Sequence, residues 1–308
     1  MMPSSNPSTS GRAILWMVPR TISTAFAKCM SGVPECEIWG EPFLYCHMAH
    51  REMEMLGMKE VPMSYDGNEA KYQSVISSVC AKTMCQNIIP ERLAYATIKR
   101  GLESSTSKYV FSKDESVAMW SERQRQYIPT GYRHAFLIRH PILVFASLRK
   151  GLFRSLQAAN QLRYEEDECS FDLRKYDDGN GFDAAFERHH NLWKYILDKV
   201  DPSTLVFSSD DLLNSPEKIL PKYCEAMGFP YSESLLSWDA SPDVFSKWIV
   251  PNPGEPVNTA FAAVALSSTH FTPPKAVPAW DQLTEDVKAY AEKAMPYYQE
   301  MYENRLTV

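Results

Sequence analysis

Two kinds of apolar pattern alternate along this chain. Short, mainly apolar runs occur at 12–18, 36–39, 109–112, 134–138 and 203–207. The first reads Arg12-Ala13-Ile14-Leu15-Trp16-Met17-Val18, and the fourth His134-Ala135-Phe136-Leu137-Ile138. Between them, apolar residues return every third or fourth position over 23–32, 43–56, 69–86, 91–101, 116–126, 142–153, 182–199, 215–227 and 282–303. An apolar run without polar alternation suits a strand buried on both faces, and a 3.6-residue period suits an amphipathic helix. Their alternation predicts an α/β fold, a parallel sheet flanked by helices on both faces. Such sheets bind ligands beyond the carboxyl ends of their strands. Arg20, Glu41, Lys113, Arg139 and Asp210 each follow a predicted strand, so the pattern gathers them toward one cleft.

Two stretches interrupt the alternation. Residues 157–181 are polar, acidic and rich in turn formers, and read as an insertion over the cleft or a solvated loop. Residues 249–279 are rich in proline and poor in helix signals, and read as an ordered cover loop. The polar start, 1–11, reads as a flexible tail, and 12–308 as a single domain without internal repeats.

Composition narrows the class. The chain has 308 residues, 44% of them hydrophobic, enough for one large core. A net charge of -6 argues against a bulk electrostatic nucleic-acid binder, while leaving room for a local cationic pocket. Seven cysteines without regular spacing predict reduced thiols, and Cys80 and Cys85 stand too far apart for a C-x-x-C pair. No stretch has the length of a membrane span or the layout of a secretory signal, so the expected location is cytoplasmic, with no membrane partner. Oligomeric state is left open.

The candidate chemistry lies in two strand-to-helix junctions. After the first strand comes Pro19-Arg20-Thr21-Ile22-Ser23-Thr24, then the helical Ala25-Phe26-Ala27-Lys28. Amides at a helix N-terminus, three hydroxyls and one forked cation are the groups that hold a phosphate or sulfate. The loop is not a Walker A sequence, and an ordinary capped turn is the plain alternative. The second junction runs Arg139-His140-Pro141 through Ser147, with Pro141 at a favoured first helical position.

Together these junctions resemble the sulfotransferase superfamily. There a P-[KR]-[ST]-x-[ST]-[TS] loop binds the 5′-phosphosulfate of 3′-phosphoadenylyl sulfate (PAPS), and a later R-x-P-x-x-x-x-x-S segment binds its 3′-phosphate. Trp39-Gly40-Glu41-Pro42-Phe43, the strand ending in Lys113-Asp114, and Ser208-Ser209-Asp210-Asp211 extend the likeness over residues 12 to roughly 240. The resemblance implies a P-loop NTPase-like fold, PAPS as donor, 3′,5′-ADP (PAP) as product, and no metal. It implies donor contacts from Arg20, Thr21, Ile22, Ser23, Thr24, Ala25, Arg139 and Ser147. Ala25 departs from the family, which carries an adenine-stacking aromatic there. The family's Arg-Lys-Gly triplet is also missing near Phe245-Ser246-Lys247-Trp248, leaving Arg149, Lys150 or Lys247 as substitutes.

Sulfuryl transfer needs charge neutralisation at the bridging oxygen and a base for the acceptor proton. Arg20 and Lys113 are the candidate cations, and a surface pair with Asp114 is the plain alternative for Lys113. Glu41 is the preferred base, with helix capping as its plain alternative. Glu115, His47 and His50 are the other candidates. His140 is expected near the donor or the protein surface rather than in catalysis, and the His189-His190 pair reads as structural. The acceptor group is a hydroxyl or an amine; Trp39, Phe43, Tyr45, Trp120, Phe153 and Trp193, from a 12% aromatic complement, suit an apolar small-molecule alcohol such as a steroid, phenol or lipid alcohol, with a sugar or a tyrosine peptide as the alternatives. The competing readings are a P-loop-like nucleotide kinase and a non-catalytic nucleotide-binding relative.

Overall fold

The five apolar runs form five parallel strands: β1 (Arg12–Met17), β2 (Cys36–Gly40), β3 (Tyr109–Glu115), β4 (Arg133–Ile138) and β5 (Leu205–Ser208), in the order β2-β3-β1-β4-β5. The computed structural model describes residues 10–83, 85–177, 181–252, 264, 265 and 267–308. The expected tail lies almost wholly outside these residues. Gly11 is already fixed, and a Cβ there would stand 2.5 Å from the Gly228 carbonyl oxygen.

Alternate residues of β1 serve two cores. Ala13, Leu15 and Met17 face Phe26 of α1 (Ser23–Met30) and Tyr223 of α9 (Pro216–Met227). Ile14 and Trp16 face α2 (Pro42–Met55), α4 (Tyr95–Ser104), α6 (Pro141–Ala158), α7 (Ala185–Lys199) and α10 (Glu285–Glu303). Helices therefore cover both faces of the sheet, as the alternation predicts. The other helices are α3 (Glu69–Thr83), α5 (Glu122–Arg125) and α8 (Ser209–Asn214).

The differences from the sequence reading have local causes. β3 runs past 112 to Glu115, because Met17 of β1 and Gly40 of β2 keep pairing with its polar end. Ser112, Lys113 and Asp114 are consequently buried. The stretch at 116–126 splits into a 3-10 turn, Ser116–Met119, and α5. Pro216 forces a break between α8 and α9, and Gly228, at φ 77, ends α9 in the left-handed conformation glycine tolerates.

The acidic insertion is ordered where it is described. Arg149 of α6 donates to Asp286 of α10 at 3.2 Å, and to the carbonyls of Glu168 at 2.8 Å, Cys169 at 3.1 Å and Phe171. That buried guanidinium is spent on structure and is no substitute phosphate ligand. Residues 178–180 of the insertion lie outside the described residues. In the proline-rich stretch, Ile249 bridges to β2 through Gly40 N–H at 3.0 Å and Ile38 O at 2.8 Å. Residues 253–263 and 266 lie outside the described residues. None of the seven cysteines is in a disulfide. Among the described residues no helix is long and apolar enough to cross a membrane.

Candidate active site

β1 lies between β3 and β4, so the loop leaving it is flanked by the ends of both. Arg20 and Ile22 hold φ of 70° and 65°, costly for side chains with a Cβ and, for β-branched Ile22, especially so. Left-handed residues interspersed in a loop turn backbone N–H groups toward one concavity, an anion-binding arrangement. The loop is pinned at Thr21, whose hydroxyl donates to Val18 O at 2.9 Å. Ser209 Oγ lies 2.9 Å from both Thr21 O and Ile138 O. Thr21 is therefore an anchor, and its hydroxyl does not face the ligand side. The side chains of Ile22 and Ala25 are partly buried against the core beneath the loop. Ser23 and Thr24 line a cavity at the start of α1, which no side chain caps.

Behind this loop two guanidiniums converge. Arg20 Nε donates to Ser147 Oγ at 3.0 Å, and Arg139 donates to Arg20 O at 2.8 Å. Burial lowers the affinity of both for their protons, and the Arg139 charge lowers that of Arg20 further. Arg139 Nε is buried with no hydrogen-bond partner. Asp210, its carboxyl pushed up by burial, offsets part of the charge at Arg139. Two close half-buried cations and a buried, unmet N–H are relieved by a bound anion.

On the other side of β1, Lys113 Nζ donates to Thr24 Oγ1 at 3.3 Å and is ion-paired with Glu41 Oε1. Glu41 stands at φ 56, its N–H bonded to Lys113 O at 2.8 Å. Although Glu41 occupies the N-cap of α2, its side chain makes no capping bond. Asp114 performs that task from β3, accepting from Phe43 N at 2.6 Å and Leu44 N at 3.0 Å. Neither plain alternative therefore holds: Glu41 does not cap α2, and Lys113 does not pair with Asp114. Glu115 also faces the cavity; burial, then the charges of Glu41 and Asp114, push its carboxyl up to about 8, against the pull of Lys113.

These groups open into a cavity of about 640 Å³. Arg20, Glu41, Lys113 and Glu115 line its inner end, and Leu148, Leu152 and Leu156 of α6 form one wall. Arg139, Ser147 and Asp210 lie at the same end of the sheet but behind Arg20, off the cavity lining.

No family model matches the chain, and no curated protein matches it. The solved structures that resemble it include the following three. The sulfotransferase domain from the curacin biosynthetic pathway is 13% identical with a TM-score of 0.42, over 92% of this chain and 98% of that one. The sulfotransferase domain from the Synechococcus PCC 7002 olefin synthase is 15% identical with a TM-score of 0.39, over 94% and 96%. Mouse sulfotransferase SULT7A1, complexed with PAP, is 12% identical with a TM-score of 0.49, over 96% and 89%. All three are sulfotransferases.

Several sequence expectations meet a different placement. His47 lines the cavity, but His50 is turned away, its ring edge against Tyr95 at 4.9 Å. His140 caps α6 by accepting from Ile142 N at 3.3 Å, and His189 is buried on Ser116 and Phe136. Of the aromatics expected at the cleft, Tyr45 lines it; Trp39, Phe43 and Trp193 are core, Phe153 belongs to a separate small cluster, and Trp120 is exposed. The aromatic lining comes instead from Tyr176, Phe182, Phe245 and Trp248. Their segments are irregular, and no periodicity marks them. Lys150 is exposed beside Glu168, and neither it nor Lys247 lines the cavity.

Proposed function

We propose that the chain is a sulfotransferase, moving a sulfuryl group from PAPS to a hydroxyl or amine of a small molecule bound in the cavity. The observation that carries this reading is the half-buried Arg20–Arg139–Ser147 cluster behind a loop held at positive φ. The amides and hydroxyls of Ser23 and Thr24, with Arg20, are suited to the phosphosulfate; Arg139 and Ser147 are suited to the 3′-phosphate. Lys113, already bonded to Thr24, is placed to neutralise charge on the bridging oxygen as the sulfur–oxygen bond breaks. Glu41 spends Oε1 on Lys113, which leaves Oε2 to take the acceptor proton as the new oxygen–sulfur bond forms.

Calorimetric titration without Mg²⁺ tests the reading. PAP should bind, and Arg139→Ala should weaken it about tenfold or more, since a charge-assisted contact contributes roughly 1.5–3 kcal/mol. Adenosine 5′-phosphosulfate, which lacks the 3′ group, should be little affected by that variant. ATP binding only with Mg²⁺ would favour the kinase reading, and no nucleotide binding at all would leave a scaffold.

A further inference from the structure

The cavity lining changes character in the same order along two helices. α6 begins just after Arg139, and past Ser147, which accepts from Arg20, it sets Leu148, Leu152 and Leu156 on one face at successive turns. That single file is a stripe of roughly 12 Å at 1.5 Å per residue. Leu152 and Leu156 rest on the Phe153–Phe171–Tyr176 cluster, with part of each side chain left uncovered. Beyond the end of α6 the lining turns polar at Gln161 and Arg163. α2 repeats this order from the other reacting group. Glu41 stands at its N-cap, Leu44, Tyr45 and Met48 follow in the lining, and Arg51 and Glu52 come last. From Glu41 to Arg51 the helix advances roughly 15 Å at 1.5 Å per residue. His47 lies within this run, but burial, then the charges of Arg51 and Arg188, push it down to about 3, so it adds no charge there.

Both helices thus run from a reacting group, through an apolar stretch of similar length, to a polar end. A single file of leucines matches a narrow body, whereas the broad face of a fused-ring steroid would leave much of its apolar surface uncovered by it. A zigzag hydrocarbon built on ~1.5 Å carbon–carbon bonds advances about 1.3 Å per carbon, so the stripe spans about nine carbons. We propose that the acceptor is an unbranched medium-chain alcohol, its hydroxyl at Glu41 and its chain extended along Leu148, Leu152 and Leu156, with the polar ends of α2 and α6 setting the length of chain that is covered. This inference rests on the sulfuryl-transfer reading of the cavity and narrows its acceptor to a linear alcohol of bounded length.

Linear primary alcohols from 1-butanol to 1-dodecanol serve as probes, titrated into the full chain by calorimetry with and without saturating PAP. Affinity should rise about fourfold per methylene, the scale of one buried CH₂, and level off at about nine carbons. Leu152→Trp fills the groove one turn past Leu148 and should bring that break back to about five carbons. Leu156→Trp, a turn further out, should shorten it less. Far-UV circular dichroism like that of the unaltered chain shows that each variant has folded. A rise that continues unbroken to 1-dodecanol, a break that neither folded variant moves, or tighter binding of a four-ring steroid alcohol than of 1-nonanol overturns the proposal. If PAP binds and the series shows no break, the acceptor inference alone fails. If the break is present and PAP does not bind, the transfer reading fails while the chain-binding cavity stands.

Discussion

Glu41, Lys113, Asp114 and Glu115 divide three tasks among four adjacent ionisable groups. Asp114 satisfies the first amides of α2, which spares Glu41 from capping and lets its carboxylate reach Lys113. The Glu41 charge is then the largest electrostatic contribution, after burial, raising Glu115. Glu41→Gln keeps the side chain's shape and removes its proton-accepting charge. Turnover should fall about 10²–10⁴-fold while PAP binding survives. The same change should move Glu115 from about 8 toward the ordinary carboxylate range, read by the titration of its ¹³C-labelled carboxyl. An unmoved Glu115 titration would show that the two carboxyls do not share one field. Glu115→Gln is the companion variant; if it alone abolishes turnover, the acceptor proton goes to the end of β3.

At the scale of elements, legibility in the sequence followed locality. The loop at 19–24 and the spacing of Arg139 to Ser147 are each contained in one strand-to-helix junction, so their residue types and order are visible without a fold. The role of Asp114 is not, because the amide it caps lies 71 residues away, and its sequence neighbour Lys113 offers a simpler pairing. The polar end of β3 hides for a similar reason, since its partners rather than its own pattern keep it in the sheet. Gly101 of α4 shows the same non-local control. Alanine is favoured over glycine in a helix by about 1 kcal/mol, but a Cβ here would stand 2.8 Å from Cη2 of the buried Trp39 ring. The indole cannot retreat without straining β2, which ends at Gly40, next to Glu41. Gly101→Ala should therefore lower stability by about 1–3 kcal/mol in urea unfolding. Trp39→Leu in the same chain should recover part of the loss. A stabilising Gly101→Ala would show that the ring moves freely.

The whole molecule holds several buried imidazoles neutral. Burial pushes His50 and His134 down to about 4 and His189 to about 3, against about 6.5 in an unfolded chain. Between those values the unfolded state binds more protons. The stability each contributes is thus complete above about pH 6.5 and is lost as pH falls toward 3–4, at about 1.4 kcal/mol per unit for each group. Glu115 acts with the opposite sign, its contribution present at low pH and lost as pH rises through about 8. His189→Gln should flatten the dependence of unfolding free energy on pH between 6 and 4.5 by about one proton, read from urea midpoints at matched salt. An unchanged slope would mean that His189 is charged in the folded state.

The central place of β1 in the sheet also decides when a donor pocket can exist during synthesis and folding. The loop after β1 meets Lys113 through Thr24 on one neighbouring strand and Arg139 through Arg20 O on the other, and the contact of Arg20 with Ser147 closes a chain separation of 127 residues. Contacts of that range are costly in chain entropy until the strands between them have paired. A nascent or truncated chain that ends before β4 has the whole of the Pro19–Thr24 loop but neither Arg139 nor Ser147. On the proposed reading, affinity for a doubly phosphorylated nucleotide is a property of the completed sheet, and its appearance should report that β1 has acquired both neighbours.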